Sequence, residues 1–115
     1  MENPVAPDRR RFPRYRTNVE VIVYEGKTMF TSRITQISRE GCLIFPPLPP
    51  LSEQGLRISF RLADDLPYVN CKGEVAYSFA DKGTGIVFTE ISLYNQDVIT
   101  SSFEKQSCAG GSTNP

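Results

Sequence analysis

The chain has 115 residues, of which 39% are hydrophobic and 23% are charged, and these values are typical of one globular domain with a modest core. It contains no histidine and three widely spaced cysteines. A Ser-His or Cys-His nucleophile pair is therefore excluded, and no two cysteines have the spacing of a metal site. We predict that the protein is not an enzyme and holds no metal.

The net charge is zero, but it is unevenly distributed. The first 16 residues carry five arginines against Glu2 and Asp8, whereas the rest of the chain carries eight basic and eleven acidic residues. A basic arm on a mildly acidic body indicates a local anion site, because a general nucleic-acid binder is more often basic over a whole face. With no secretory apolar region and no apolar run of about 18 residues, we expect a cytoplasmic protein that does not insert into a membrane.

The arginines form a cluster that follows a flexible lead-in over residues 1–8. Pro13 lies within the cluster and disfavours a helix there, so we expect an extended arm. A guanidinium group can pair with phosphate oxygens or with the O6/N7 edge of guanine through two hydrogen bonds. Alone, such a run is most often a solvated tail. The arm arginines are Arg9, Arg10, Arg11, Arg14 and Arg16.

Alternation of apolar and polar residues next predicts six strands. They are expected at residues 19–24, 28–37, 42–45, 56–62, 69–79 and 84–90. The connections are short, and no crossover helix separates the strands. Six short strands with one apolar face each must close on themselves or be covered, so an antiparallel barrel or sandwich is predicted.

Two further features complete the element list. Residues 36–41 are expected to form a tight loop in which Gly41 takes a positive φ. Ser92 is predicted to cap a short helix, because Tyr94 and Val98 recur behind it at helical spacing. The Ser and Gly content beyond the helix predicts a disordered tail over residues 106–115.

Two motifs in this order resemble those of the PilZ domain. The first is Arg10-x-x-x-Arg14, and the second is Ile37-Ser38-Arg39-Glu40-Gly41, which opens an apolar strand. The likeness places the domain at residues 9–105. It implies a six-stranded antiparallel β-barrel with a short C-terminal helix. It also implies that the domain binds cyclic di-GMP, with the arm and the loop both contacting the dinucleotide.

The resemblance also implies individual roles. Arg10 and Arg14 would bind phosphate or a guanine edge, and Ser38 would offer its hydroxyl or amide to the ligand. Phe12 and Tyr77 are candidates for stacking on a base, although the alternation of its strand places Tyr77 with core residues and favours packing. The implied ligand-binding residues are Arg9, Arg10, Arg11, Arg14, Gln36, Ser38 and Gly41.

The chain departs from the family pattern at Gln36, where the family has Asp or Asn. Gln36 keeps the amide but sets it one methylene farther out, and it cannot form a charge-assisted bond to guanine N–H groups. Losing one such hydrogen bond costs about 1–3 kcal/mol, or roughly one to two decades of affinity. We therefore expect binding that is weakened rather than abolished.

The resemblance favours an effector in which cyclic di-GMP orders the arm over the loop and alters a surface for a downstream protein, in motility or biofilm regulation. One alternative is a PilZ-like adaptor that does not bind cyclic di-GMP and acts through protein contacts. The other is a small barrel that binds nucleic acid through the arm. The last is ranked lowest because most aromatic residues fall on core-facing positions.

Overall fold

A computed structural model describes residues 12–51 and 55–113. In the last helix it describes side chains as far as Phe103 and the backbone as far as residue 113. The strands are β1 (Tyr15–Glu25), β2 (Thr28–Ile37), β3 (Gly41–Ile44), β4 (Leu56–Phe60), β5 (Val69–Phe79) and β6 (Gly83–Glu90), followed by helix α1 (Leu93–Thr113). The strands form a closed antiparallel barrel in the order β1-β2-β3-β6-β5-β4, and β4 pairs again with β1. The predicted fold class is confirmed.

The barrel interior is filled by the inward-facing residues of each strand. Val21 and Val23 of β1 are fully buried, and Ile58 of β4 lies at the Val23 position of the shared ladder. Phe60 and Phe88 pack with their ring centroids 6.5 Å apart. The period-2 pattern of the sequence thus identifies the core correctly over most of the barrel.

The second half of β5 departs from that pattern. Strand β4 pairs with β5 only as far as Gly73, so the rest of β5 pairs with β6 alone and extends beyond the barrel. Val75, Tyr77 and Phe79 are accordingly 41%, 40% and 53% exposed. The expectation that Tyr77 is a core residue is wrong, because alternation continues along the strand after the core has ended.

Helix α1 follows the last strand and packs against the barrel. Ser92 Oγ accepts a hydrogen bond of 3.0 Å from the amide of Asn95, which confirms the predicted cap. Ile99 is fully buried, and the ring of Phe103 stacks on Tyr15 of β1 with centroids 4.6 Å apart. The helix continues to Thr113 and so includes most of the segment expected as a tail. Within the described residues, no helix combines the length and the apolar character that a membrane span needs.

Candidate ligand-binding site

An open cleft of about 630 Å³ lies on the side of the barrel where the N-terminal segment, the β2–β3 loop, β5 and β6 meet. The residues predicted to bind ligand that the structure describes all line it: Phe12, Arg14, Gln36, Ser38, Gly41 and Tyr77. Arg9, Arg10 and Arg11 lie outside the described residues. The cleft therefore brings together the start of the described chain and a loop more than twenty residues later.

The β2–β3 loop is held in one shape by its own hydrogen bonds. The amide of Ser38 donates to the carbonyl oxygen of Gly41 at 2.9 Å, and Ser38 Oγ accepts from the amide of Glu40 at 3.1 Å. The amide of Phe88 on β6 donates to the carbonyl oxygen of Glu40 at 2.8 Å. A hydroxyl that accepts one hydrogen bond still has its hydrogen to donate, so Ser38 keeps a donor for a ligand.

Gly41 serves close packing and does not take the positive φ that the sequence suggested. Among the described glycines, φ is positive at Gly26 and Gly83 only. A Cβ at Gly41 would instead collide with the carbonyl oxygen of Ile86 on β6. Because β3 and β6 are paired there, glycine lets the loop approach the neighbouring strand closely.

Tyr77 forms part of the cleft wall as an exposed aromatic. It pairs with Gly85 across the β5–β6 ladder, and a Cβ at Gly85 would collide with the Tyr77 ring. The ring therefore lies over the glycine, which fixes its height above the sheet. An aromatic face held in this way can accept a flat heterocycle.

Arg39 is a cleft residue that the sequence reasoning did not select. It follows Ser38 in the loop motif, and its side chain is 25% exposed. Its guanidinium carbon lies 5.3 Å from the centre of the Phe12 ring, and an Nη atom lies 3.6 Å from a carboxylate oxygen of Asp97 on α1. The signal available in the sequence was a cation inside the motif itself, between two residues already assigned to the ligand.

The two described cysteines contribute no chemistry to the cleft. Burial raises the pKa of Cys71 from 9.0 to about 12, and burial together with the nearby Cys71 raises the pKa of Cys42 further still. Both thiols therefore stay protonated near neutral pH and behave as small apolar side chains. The described residues contain no group of three acidic or cysteine side chains placed to hold a metal ion.

A β-barrel with arginines, a tight loop and an exposed aromatic around one cleft is a small binding domain. The family model of the PilZ domain matches residues 8–104, which is most of the chain. The protein belongs to the PilZ domain family, a family of cyclic di-GMP receptors that are regulatory binding domains and not enzymes.

Solved structures share the fold. The chain resembles the Bacillus subtilis inhibitor of motility MotI/DgrA with a TM-score of 0.66 and 17% identity, over 85% of this chain and 51% of that chain. It resembles the PilZ domain of CeSA from a cellulose-synthesizing bacterium with a TM-score of 0.61 and 12% identity, over 83% and 98% of the two chains.

A third similar structure contains a ligand. The PilZ domain of YcgR from Escherichia coli, solved with cyclic di-GMP, has a TM-score of 0.61 and 14% identity, over 90% of this chain and 98% of that chain. At identities of 12% to 17%, these three structures show a shared fold alone. The chain spans about half the length of MotI/DgrA. No curated protein sequence matches the chain.

Proposed function

We propose that the protein is a cyclic di-GMP receptor whose ligand occupies the cleft between Arg14, the β2–β3 loop and Tyr77. One observation carries the proposal: residues from three separate parts of the chain, each with a group suited to a dinucleotide, line the same cleft. Arginine supplies a charge and paired donors for phosphate, the loop supplies the Ser38 hydroxyl, and the aromatic ring supplies a stacking surface.

The ligand's chemistry suits this arrangement. Cyclic di-GMP carries two phosphates and two guanines, and the guanine O6/N7 edge accepts the same paired donors as phosphate. Arg14 is exposed at the cleft, where it can reach a ligand without moving the barrel. Arg9, Arg10 and Arg11 are expected to close over the ligand. Ordering of this arm would change the surface offered to a downstream protein.

Isothermal titration calorimetry with cyclic di-GMP tests the proposal. The wild-type chain should release or absorb heat on binding, and Arg14→Ala should lower the affinity about tenfold or more, because a charge-assisted contact contributes about 1.5–3 kcal/mol. Arg57→Ala removes an equal charge from β4, where Arg57 lies over Tyr24 outside the cleft, and should leave the affinity unchanged. Absence of binding heat from the wild-type chain at high micromolar ligand would overturn the proposal.

A second candidate function is an adaptor that does not bind the ligand and works through protein contacts. Two observations favour it: Gln36 replaces the family's Asp or Asn, and Phe79 and Val75 present apolar surface on the part of β5 outside the barrel. Such an adaptor would bind a protein partner equally well with and without cyclic di-GMP. Calorimetry of the wild-type chain therefore separates the two functions.

A further inference from the structure

The side chain of Arg39 connects three parts of the domain that are far apart in the sequence. Its guanidinium lies over the Phe12 ring in the N-terminal segment, and it forms an ion pair with Asp97 in the second turn of α1. Its own carbonyl oxygen accepts a 3.2 Å hydrogen bond from the side-chain amide of Gln96. Arg39 is thus the point where the β2–β3 loop, the arm and the helix meet beside the cleft.

The N–H donors of the Arg39 guanidinium lack close acceptors in the part of the chain that the structure describes. A guanidinium has five N–H donors, and the Nε of Arg39 is buried without an acceptor among the described residues. The ion pair with Asp97 spans 3.6 Å, longer than the 2.7–2.9 Å typical of a charge-assisted hydrogen bond. The Asp97 side chain is 69% exposed, and water competes strongly for such a carboxylate.

We propose that Arg39 is a further anion-binding residue of the cleft, and that it exchanges the Asp97 carboxylate for a ligand phosphate. The inference rests on the proposed function, because the phosphate is that of cyclic di-GMP. Phosphate oxygens in the cleft would offer a partly buried guanidinium a closer and less hydrated acceptor than Asp97 does. The exchange weakens the contact between the loop and α1, so ligand occupancy is transmitted to the helix through one side chain.

The proposed exchange and a supporting role for the ion pair predict opposite changes in ligand affinity when the Asp97 charge is removed. If Asp97 competes with the ligand for Arg39, Asp97→Asn should raise the affinity for cyclic di-GMP by about two- to fivefold, the range set by an exposed ion pair. If Asp97 instead holds Arg39 ready for the ligand, the same substitution should lower the affinity. Arg39→Gln should lower the affinity about tenfold or more.

Calorimetry of four variants tests the inference, with folding checked by thermal melting. Glu90→Gln is the matched control for charge, because the Glu90 carboxylate is about as exposed as that of Asp97 and lies 3.4 Å from Lys72, outside the cleft lining. Its loss should change the affinity less than twofold. In the double variant Arg39→Gln/Asp97→Asn, the Asp97 substitution should have no further effect, because its influence passes through Arg39.

The outcomes separate the two proposals. A wild-type chain that does not bind cyclic di-GMP overturns both. A wild-type chain that binds, together with an Asp97→Asn variant that matches Glu90→Gln or binds more weakly than wild type, overturns the exchange alone. Should Arg39→Gln fail to fold, the comparison of Asp97→Asn with Glu90→Gln still decides the matter, since both substitutions remove an exposed carboxylate.

Discussion

The ring of Tyr77 lies directly over Gly85, its partner across the β5–β6 ladder. The glycine leaves room for the ring, and the ring forms part of the wall of the cleft. Because β5 has left the barrel at this point, the ring is 40% exposed rather than enclosed by core. A position that looks like core in the sequence is therefore an aromatic surface beside the candidate site.

Tyr77 is predicted to stack on a guanine of the ligand. Tyr77→Ala should lower the affinity for cyclic di-GMP at least about fivefold, since base–aromatic stacking contributes about 1–3 kcal/mol, whereas Tyr77→Phe should change it less than about twofold. Tyr68→Ala is the control, because Tyr68 is an aromatic residue that is 54% exposed and lies outside the cleft lining. Equal losses in Tyr77→Ala and Tyr68→Ala, measured by calorimetry, would count against stacking.

Gly41 is predicted to be a packing requirement. In Gly41→Ala the new Cβ meets the backbone carbonyl of Ile86, which can move only if the β3–β6 pairing is distorted. We expect the free energy of unfolding to fall by about 1–3 kcal/mol in urea denaturation. Gly55→Ala is the control, because a Cβ there has no heavy atom within 4 Å and φ is not positive. It should change stability by less than about 0.5 kcal/mol. Comparable losses in the two variants would contradict the packing argument.

Gln36 is predicted to limit affinity. It lies in the cleft at the end of β2, where the ladder with β3 is irregular between Ile34 and Gln36. Replacing it with the shorter Asn or Asp restores the family's side chain, and an Asp can accept charge-assisted bonds from guanine N–H groups. We expect Gln36→Asp to tighten cyclic di-GMP binding by about tenfold. Weaker binding in both Gln36→Asp and Gln36→Asn would show that the loop has adapted to glutamine.

The barrel was predictable because its signals are local. Alternation along β1 and β4 marks the buried face, and Ser92 marks the start of α1 by the chemistry of helix capping. Arg14 and the loop motif were selected through resemblance, and the fold brings them to one cleft. That juxtaposition depends on how the strands are paired, which no local pattern contains.

The features that could not be predicted depend on the limits of neighbouring strands and on contacts between distant segments. Tyr77 is exposed because β4 begins at Leu56, opposite Gly73, and no pattern within β5 shows where β4 begins. Gly41 is required by a carbonyl of β6 rather than by its own turn. The ion pair between Arg39 and Asp97 joins the β2–β3 loop to α1. Each of these facts concerns two segments, so a reading of one segment could not supply it.

Helix α1 is predicted to be an integral part of the domain. Ile99 is fully buried against the barrel, and Ile99→Ala should lower the free energy of unfolding by about 2–4 kcal/mol because it leaves a cavity. Leu93→Ala provides the control, since Leu93 is 73% exposed at the start of the same helix and should change stability by less than about 0.5 kcal/mol. Urea denaturation followed by circular dichroism measures both. An Ile99→Ala variant as stable as Leu93→Ala would mean that the helix contributes little to the fold.

Cys42 and Cys71 are predicted to be unreactive in the folded protein. Thiolate is the reactive form, and burial raises the pKa of Cys71 from 9.0 to about 12 and that of Cys42 in the same direction. At pH 8 an unfolded chain has a substantial thiolate fraction, whereas the folded chain has almost none at these two positions. A disulfide reagent should therefore modify them only as fast as the protein unfolds.

The measurement is best made in a Cys108→Ser background, in which Cys42 and Cys71 are the remaining thiols. The raised pKa of Cys71 also links the free energy of unfolding to pH. This free energy should fall as the pH rises above 9, because the unfolded state releases thiol protons that the folded state retains until about pH 12. The slope should be at most about 1.4 kcal/mol per pH unit for each thiol, and Cys71→Ala should remove its share. Rapid modification at pH 8 without unfolding, or an alkaline slope unchanged by Cys71→Ala, would show that these thiols are less buried than their surroundings indicate.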